Sequence, residues 1–541
     1  MKLDGEAMRT KTARRGLPRL IASFALVAAA CDMHEPPDGA AEPRPREATV
    51  LLAAEFAGAW PTGLDPATST TAGANLSLMN AIYGGLFQLT ADDDGSNPRI
   101  TGVLASGYEI EDGGRTVVIR VREGVRFSDG TPLDAEAVRF NVERNLRSPC
   151  VCAPTAWPWD ERDPVRTRDA LTVELRFRRP YAAVMNTFPT MNVNWVVSPA
   201  ALESLGEEEL KLRPVGAGAF RVVSNVPGSR LVLERNPYYW QPGRPYLDRL
   251  VFQSIGSEQA AYNALLAGDA HAFEGLTLPR LIGLAEADDR LRVTRMPATS
   301  PYVVQLNTSR PPFDDKRARE AIYHATDVEA IRVGIFNGWY PWSRAFTAPG
   351  GLFHIEDVPG YRSHDPERAR AIVAELGGLR VTLGTLRSAV AEQIVTALQS
   401  QWRRVGIDVE IELYDIARLV QDFQSGRWQA MLQTAGSFDP EAVSGVSSRF
   451  RSDRPFTGVK DPVLDDLLER AAGTFDTDER RRLYTEAARH ISDHAYAPFL
   501  LAYAPAQLTT GALEGPGLTT PIPPLLVHTG VLWHDVRRVD E

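Results

Sequence analysis

The chain has 541 residues, 44% of them hydrophobic and 24% charged, and its formal net charge is −10. This is an ordinary globular composition, and at about 150 residues per domain the length predicts several domains. The acidic balance argues against nucleic acid as the main partner, because phosphate binding requires a concentrated basic surface. The three cysteines are too few for a disulfide framework or a four-thiolate zinc site.

Residues 1–30 have the features of a secretory signal. Basic residues from Lys2 to Arg19 precede a short apolar run that ends in alanines before Cys31. The run is too short for a transmembrane helix, which needs about 20 apolar residues. Small residues directly before a cysteine resemble a bacterial lipobox, so we expect a lipoprotein signal peptide and lipidation of Cys31. Ordinary signal cleavage at the same alanines, which would leave Cys31 as a thiol, is the alternative.

Residues 31–47 are rich in proline and show no hydrophobic periodicity. Such a segment is a semi-extended tether rather than a folded element. A tether between a lipid and a globular body suits a protein that works beside a membrane. We therefore predict an extracytoplasmic or periplasmic body that is anchored to the cell membrane by lipid.

The body alternates between strand and helix patterns. Strands are predicted where apolar residues run continuously or alternate between turn signals, at residues 116–121 and 407–413. Helices are predicted where a capping residue precedes apolar residues three and four apart. They cover approximately residues 257–268, 315–325, 394–406 and 461–473. The pattern predicts an α/β protein with mixed sheets.

Motifs for catalysis are missing or weak. The chain contains no G-x-S-x-G elbow, no H-E-x-x-H helix and no P-loop. Residues 216–221 begin like a dinucleotide fingerprint, but they lack the third glycine and lead into a strand-like segment. The sequence therefore predicts no cofactor and no enzymatic activity.

Two pairs of potential metal ligands occur in the chain. His490 and His494 are four residues apart near the end of a predicted helix, but no third ligand is evident nearby, so a polar helix end is favoured. Cys150 and Cys152 flank one residue in a Pro-rich loop, where they either form a strained small disulfide loop or remain thiols. We predict no metal site from these pairs.

Aromatic residues in loops are more suggestive of a binding site. Trp157, Trp159 and Trp195 lie in such segments, and a further aromatic cluster covers residues 339–342. Tryptophan offers a wide apolar face with one donor and often lines ligand clefts, although packing in the core is the alternative. Arg344 follows the cluster and could bind a carboxylate with two hydrogen bonds, although an exposed arginine is the commoner explanation.

Several segments match one family pattern in the same order. Residues 98–138 contain L-A-S-G-Y, G-G-R-T and V-R-E-G-V-R-F-S-D-G-T-P, and further matches lie on both sides of them. These further segments are 64–66, 82–86 (with Gly84 where the family usually has Glu), 216–220, 234–240, 306–321 and 365–369. From about residue 64 to about residue 512 the chain resembles the bacterial extracellular solute-binding proteins of family 5. These are the oligopeptide, dipeptide and nickel-binding components of ABC importers.

The resemblance implies a two-lobed fold of the periplasmic-binding-protein type, also called type II or Venus flytrap. Residues 48–273 would form lobe I, residues 274–498 lobe II, and residues 499–541 would return to lobe I, so that the hinge is crossed twice. A ligand between the lobes favours the closed form by as much as its contacts differ between open and closed states. The closed protein, expected to be a monomer, would then dock on a membrane permease.

The identity of the ligand is less well determined. Many peptide-binding relatives carry an Asp three residues before an Asp-Pro pair, and this Asp binds the amino group of the peptide. Gly436 occupies that place here, so either Asp439 takes over the role or the ligand is not an ordinary free peptide. The residues that the resemblance assigns to the ligand site are Tyr83, Phe127, Trp157, Trp159, Trp195, Gly218, Arg344, Ser437, Phe438 and Asp439.

We therefore expect a substrate-binding component of an ABC importer that carries peptides or peptide-like solutes. The alternative cargo on the same scaffold is a metal chelate, a sugar derivative or a secondary metabolite. A periplasmic chaperone or an enzyme is a third reading, which the absence of a nucleophile–base pair speaks against.

Overall fold

The computed structural model describes residues 46–53, 64–67, 76–148, 157–435, 438–442, 445–453, 457–523 and 530–539. The predicted signal peptide, Cys31 and nearly all of the tether lie outside these residues, as do Cys150, Cys152, Gly436 and Ser437. No helix in the described part of the chain is long and apolar enough to cross a membrane.

Strands occur throughout the described part of the chain. In chain order the strands are β1 (Glu47–Ala53), β2 (Phe87–Thr90), β3 (Arg99–Gly102), β4 (Ala105–Glu111), β5 (Thr116–Val121), β6 (Val165–Asp169), β7 (Thr172–Arg176), β8 (Phe220–Val226), β9 (Arg230–Arg235), β10 (Arg249–Ile255), β11 (Ala272–Leu276), β12 (Arg292–Arg295), β13 (Ser300–Leu306), β14 (Leu379–Leu386), β15 (Ile407–Tyr414), β16 (Ala430–Thr434), β17 (Phe499–Tyr503), β18 (Ala506–Thr509), β19 (Leu513–Glu514) and β20 (Arg537–Arg538).

Helices separate many of these strands. In chain order they are α1 (Leu76–Tyr83), α2 (Ala135–Asn145), α3 (Val184–Thr187), α4 (Pro199–Leu212), α5 (Glu258–Ala267), α6 (Pro279–Glu286), α7 (Lys316–Ala325), α8 (Val328–Phe336), α9 (Pro366–Glu375), α10 (Ala389–Arg404), α11 (Ile416–Ser425), α12 (Val446–Phe450), α13 (Pro462–Gly473) and α14 (Thr477–Asp493).

Two large mixed sheets organise the fold. The seven-stranded sheet has the order β12-β18-β11-β1-β10-β9-β8, in which β1 runs parallel to β10 and β11. The five-stranded sheet has the order β15-β14-β16-β13-β17, in which β14 runs parallel to β15 and β16. A four-stranded antiparallel sheet, β4-β5-β7-β6, lies within the N-terminal half. The predicted α/β class with mixed sheets is confirmed.

The chain passes between the two large sheets twice. The first passage lies between Arg295 of β12 and Ser300 of β13, and the second between Tyr503 of β17 and Ala506 of β18. We use "first lobe" for the elements with the seven- and four-stranded sheets, and "second lobe" for those with the five-stranded sheet. In these terms β12 belongs to the first lobe and β17 to the second. The lobe boundaries expected at 273/274 and 498/499 stay predictions.

Local signals account for the ends of several helices. The Ser257 hydroxyl accepts a hydrogen bond from the N–H of Ala260 at the start of α5. Gly268 ends that helix with a φ of 79°, in the left-handed region that favours glycine. Asp315 and Asp461 cap α7 and α13 with their carboxylates. These helices were expected from sequence, as was the strand that coincides with β5, and all are confirmed.

Each lobe has its own apolar core. Trp195, Phe252 and Trp533 are fully buried in the core of the first lobe. In the second lobe, Trp402 of α10 is buried with residues of β14 and β15, and its indole Nε1 donates to the Thr326 hydroxyl at 3.0 Å. Each core is formed mostly by residues of one lobe, with Phe438 and Ala472 of the second lobe as exceptions in the first-lobe core, so each lobe can keep most of its packing when the two lobes move relative to each other.

Candidate functional site

The loop after β16 belongs to the second lobe and contacts the first lobe. Phe438 is buried in the core of the first lobe, and its carbonyl oxygen accepts a hydrogen bond from the N–H of Leu352 at 2.6 Å. The neighbouring Asp439 is fully buried, and its Oδ2 accepts a hydrogen bond of 3.2 Å from the amide of Asn186 in α3. At this loop, Phe438 of the second lobe packs into the first lobe, and Asn186 of the first lobe donates to Asp439 of the second.

Asp439 is the centre of a buried hydrogen-bond network. Its Oδ1 accepts from the N–H of Glu441 at 2.9 Å, and its Oδ2 accepts from Nη2 of Arg480 at 3.3 Å. The same Nη2 donates to the Tyr484 hydroxyl at 3.1 Å, and that hydroxyl donates to Oε1 of Glu441 at 3.2 Å. Arg480 and Tyr484 are one turn apart on α14, so they share a face. We call Asn186, Asp439, Glu441, Arg480 and Tyr484 the Asp439 network.

Burial changes the ionisation of this network. It raises the pKa of Glu441 to about 7, and the negative charge of Asp439 adds to the effect. Burial by itself would lower the pKa of Arg480, but Asp439 and the neighbouring tyrosine outweigh it and raise that pKa. The Arg480 guanidinium also lies 4.5 Å from the ring centre of Phe353. The network therefore contains one charged pair and one carboxyl group that titrates near neutral pH.

A second contact joins the lobes beside the network. The N–H of Ala182 donates to the carbonyl oxygen of Ala472 in α13 at 2.7 Å. Next to it, Arg179 forms an ion pair of 2.6 Å with Glu469 of the same helix. Both contacts join the segment before α3 to α13, so they add to the Asn186–Asp439 contact along one edge between the lobes.

Aromatic side chains pack behind this edge. The rings of Trp157 and Trp159 stack with their centres 5.5 Å apart, and Trp157 also contacts Tyr181 at 5.9 Å and Phe188 at 5.8 Å. Trp157 is buried in the same core cluster as Phe438. Within the described residues its indole Nε1 has no hydrogen-bond partner. The aromatic cluster thus adjoins the loop after β16, while its role in ligand binding stays a prediction.

Four other predicted site residues pack inside the first lobe. Tyr83, Phe127 and Trp195 are fully buried, and the Tyr83 hydroxyl donates to the carbonyl oxygen of Leu64 at 3.0 Å. Gly218 lies against the backbone of α1, where an added Cβ would be 2.6 Å from the carbonyl oxygen of Ala81. These observations describe close internal packing, and the assignment of the four residues to a ligand site stays a prediction.

Arg344 lies in a different environment. Its guanidinium is 4.3 Å from the ring centre of Trp342 and 3.8 Å from the Asp357 carboxylate. Across the described residues, no hydrogen bond or ion pair joins Arg344 to the Asp439 network. Its side chain is 33% exposed, so it remains accessible to an anionic group. These contacts do not test the predicted role of Arg344 in ligand binding, which stays a prediction.

Sequence reasoning missed four members of the network. Glu441 follows Asp439 by only two residues, so the Asp-Pro segment could have directed attention to it. Arg480 and Tyr484 have the four-residue spacing of one helix face. Asn186 stands in no motif that we recognise, and only the tertiary structure places it beside Asp439.

Comparisons with known proteins identify the family. The model of bacterial extracellular solute-binding proteins, family 5 Middle, matches residues 99–456. The glutathione-binding protein GsiB of Escherichia coli O1:K1 / APEC is 26% identical over 458 residues, which cover 82% of this chain and 86% of GsiB.

Solved structures share the fold along nearly the whole chain. DppA from Helicobacter pylori, in complex with the peptide STSA, has a TM-score of 0.77 at 20% identity and covers 91% of this chain and 98% of its own. MoaA from A. tumefaciens R10, in complex with mannopinic acid, has a TM-score of 0.79 at 20% identity and covers 92% of this chain and 100% of its own. The predicted two-lobed fold is confirmed, and the chain belongs to the bacterial extracellular solute-binding proteins of family 5.

Proposed function

We propose that the protein is the extracytoplasmic binding component of an ABC importer that captures a peptide or peptide-like solute between its two lobes. The hydrogen bond from Asn186 to Asp439 carries this proposal, because it joins the lobes beside a buried charged network. The relatives support it: GsiB is named for glutathione, and DppA was solved with a peptide. A membrane permease would be the partner that receives the solute.

Binding would act through the equilibrium between open and closed lobes. In the described part of the chain, two short passages, at 296–299 and 504–505, connect the large sheets, so few backbone angles need to change for a hinge motion. The Asn186–Asp439 contact forms only when the lobes meet. A solute that touches both lobes adds contacts to the closed state alone and shifts the population toward it. No bond in the solute needs to change, so we propose that the protein acts by binding and not by catalysis.

A second cargo class is favoured by the state of Asp439. Both of its oxygens accept hydrogen bonds from protein donors, so the carboxylate is already satisfied without a peptide amino group. Gly436 supplies no carboxylate in its place. A solute without a free amino group, such as a blocked peptide or a sugar derivative, fits this arrangement. MoaA, solved with mannopinic acid, shows the same fold with a non-peptide ligand.

The N-terminal segment adds a proposal on location. A lipid on Cys31 and the Pro-rich residues up to 47 would tether a monomeric body to the cell membrane. Mass spectrometry of the mature N-terminus tests this directly. A diacylglyceryl mass on Cys31 would support the anchor, and cleavage at another alanine would overturn it.

The cargo can be identified by native mass spectrometry of the mature protein purified from cells without denaturation. A closed binding protein retains its solute because release requires the lobes to open. Adducts with peptide masses that added peptides replace would support the peptide reading. A single non-peptide adduct, or an empty protein whose melting temperature no peptide raises, would overturn it in favour of the second cargo class.

A matched pair of ligands then tests how the amino terminus is treated. We would compare calorimetric titrations of a tripeptide and of the same tripeptide with an acetylated amino group. Because Gly436 replaces the expected carboxylate, acetylation should change the affinity by no more than about three-fold. This change is much smaller than the one expected if acetylation left a buried charged group without its partner. A loss of about 100-fold on acetylation would show that another acid binds the amino group.

A further inference from the structure

We propose that Asp461, His490 and His494 form a binding site for a transition-metal ion in the second lobe. One potential ligand atom from each of the three residues lies within 4.8 Å of the other two. The histidines were noticed in the sequence as a pair without a third ligand. The fold supplies that ligand, because Asp461 at the start of α13 lies beside the end of α14.

The three side chains converge closely. Nε2 of His490 is 2.6 Å from Oδ2 of Asp461. The His490 and His494 rings are one helical turn apart and stack with their centres 4.2 Å apart. Asp461 is largely buried and the two histidines are half-buried, so the cluster is shielded yet reachable from solvent.

Two of the three ligands are also held by hydrogen bonds to the backbone. Nδ1 of His494 is 3.0 Å from the carbonyl oxygen of His490, and since a carbonyl only accepts, Nδ1 is the donor and Nε2 is the ring nitrogen left to bind an ion. Oδ1 of Asp461 accepts from the N–H groups of Val463 and Leu464, each at 3.1 Å. Supporting bonds of this kind are typical of residues that bind metals.

The charge of the cluster also suits a cation. The only formally anionic group of the three, the Asp461 carboxylate, turns Oδ2 toward the histidines: it lies 2.6 Å from Nε2 of His490 and accepts a hydrogen bond of 2.8 Å from the Tyr496 hydroxyl. A bound ion would take the place of the direct hydrogen bond between His490 and Asp461.

Two imidazoles and one carboxylate are a ligand set for Zn²⁺, Co²⁺ or Ni²⁺ rather than for Mg²⁺ or Ca²⁺, which prefer oxygen ligands. Three protein ligands leave one position for water. The site is distinct from the Asp439 network, because Arg480 precedes His490 by ten residues on α14, about 15 Å along the helix axis. A metal here would link the start of α13 to the end of α14.

The first test is a titration of the EDTA-treated mature chain with Co²⁺, followed by its visible absorption. We expect one ion per chain, with the intense spectrum of a low-coordinate site, and displacement by Zn²⁺. The variant H494Q should weaken binding by about 100-fold or more, because changes in supporting residues alone weaken metal sites by about 10–100-fold. H494Q retains the Asp461–His490 hydrogen bond, so it should fold normally.

The matched control is H364Q. His364 lies 3.5 Å from the Asp327 carboxylate, a His–Asp pair in the same lobe that belongs to no cluster of three metal-ligand atoms among the described residues. Co²⁺ affinity should be unchanged in this variant. Zn²⁺ at 100 times its dissociation constant should raise the melting temperature of the wild type and of H364Q by about 2–3 °C, and that of H494Q by none.

Equal melting temperatures of all three proteins in EDTA would show that the variants are folded. Failure of Co²⁺ to give a spectrum, or equal binding by H494Q and the wild type, would overturn the proposal. The three residues would then be a hydrogen-bonded link between two helices and nothing more.

Discussion

Two Asp-Pro turns of this protein have the same local structure and different surroundings. One contains Asp65 in the first lobe, and the other contains Asp439 at the edge between the lobes. Both aspartates are fully buried. In each turn Oδ1 accepts from the N–H two residues further on, at 3.1 Å from Ala67 and at 2.9 Å from Glu441. Each carboxylate also pairs with an arginine from a helix.

The partners distinguish the two turns. Arg144 of α2 binds both oxygens of Asp65, at 2.7 and 2.5 Å, and all of these residues belong to the first lobe. Arg480 makes a single bond of 3.3 Å to Asp439, whose Oδ2 is shared with Asn186 of the other lobe. A bidentate pair is stronger and more rigid than a single contact. The first turn therefore fixes one lobe, and the second is suited to a contact that forms and breaks.

The largest expected effect comes from breaking the rigid pair. R144M leaves the buried Asp65 carboxylate without its cation, and the loss of one partner of a buried ion pair costs about 3–5 kcal/mol. We expect the free energy of unfolding in urea to fall by that amount.

The control for this variant is R120M, which breaks the exposed pair between Arg120 and Glu109. Surface pairs contribute at most about 1 kcal/mol, so R120M should unfold nearly as the wild type does. If R144M lowered the free energy of unfolding no more than R120M does, the proposal that the first turn rigidly fixes its lobe would be disproved.

The next largest effect is a dependence of the free energy of unfolding on pH, which arises from Glu441 in the second turn. The pKa of Glu441 is raised by burial to about 7 in the folded protein, against 4.5 when it is exposed. The folded state then holds a proton that the unfolded state has lost, so the stability from Glu441 is present below pH 4.5 and declines as pH rises to 7. The shift corresponds to a loss of about 3 kcal/mol.

The variant E441Q cannot ionise and should remove this part of the decline when unfolding is measured from pH 5 to pH 8. Some decline remains in E441Q, because burial also raises the pKa of Glu274, in the first lobe, to about 8. E161Q, which alters a carboxylate that is 83% exposed, should leave the wild-type profile intact. Identical profiles for E441Q and the wild type would refute the assignment.

The smallest effect on stability is expected from N186A. The variant removes the bond between the lobes but leaves the Arg480–Asp439 pair within the second lobe. A hydrogen bond contributes about 1 kcal/mol, so the ratio of closed to open molecules should fall by about five-fold while each lobe stays folded. Small-angle X-ray scattering should report a larger radius of gyration.

N225A is the matched control, because the Asn225 amide bonds the carbonyl oxygen of Leu212 within the first lobe at 3.0 Å. Its radius of gyration should equal that of the wild type. A loss of stability in N186A as large as that in R144M, with no change in size, would show that the second turn is as rigid as the first.

The sequence by itself determined the features that depend on neighbouring residues. Ser257 and Asp461 mark helix starts because their side chains bond the N–H groups two or three residues further on. The strand at β5 follows from a run of β-branched residues between two turns. The family motifs could be recognised for the same reason, because each motif consists of residues that are neighbours in the chain.

Only the tertiary structure decided which distant groups meet. Asp439 lies 253 residues from Asn186 and 41 from Arg480, and Asp461 lies 29 from His490. No helical or strand period links residues so far apart, so the two aspartates could not be assigned their partners from the sequence. The tryptophans show the same limit, because an apolar side chain suits a core and a cleft equally well, and packing places Trp195 wholly inside the first lobe.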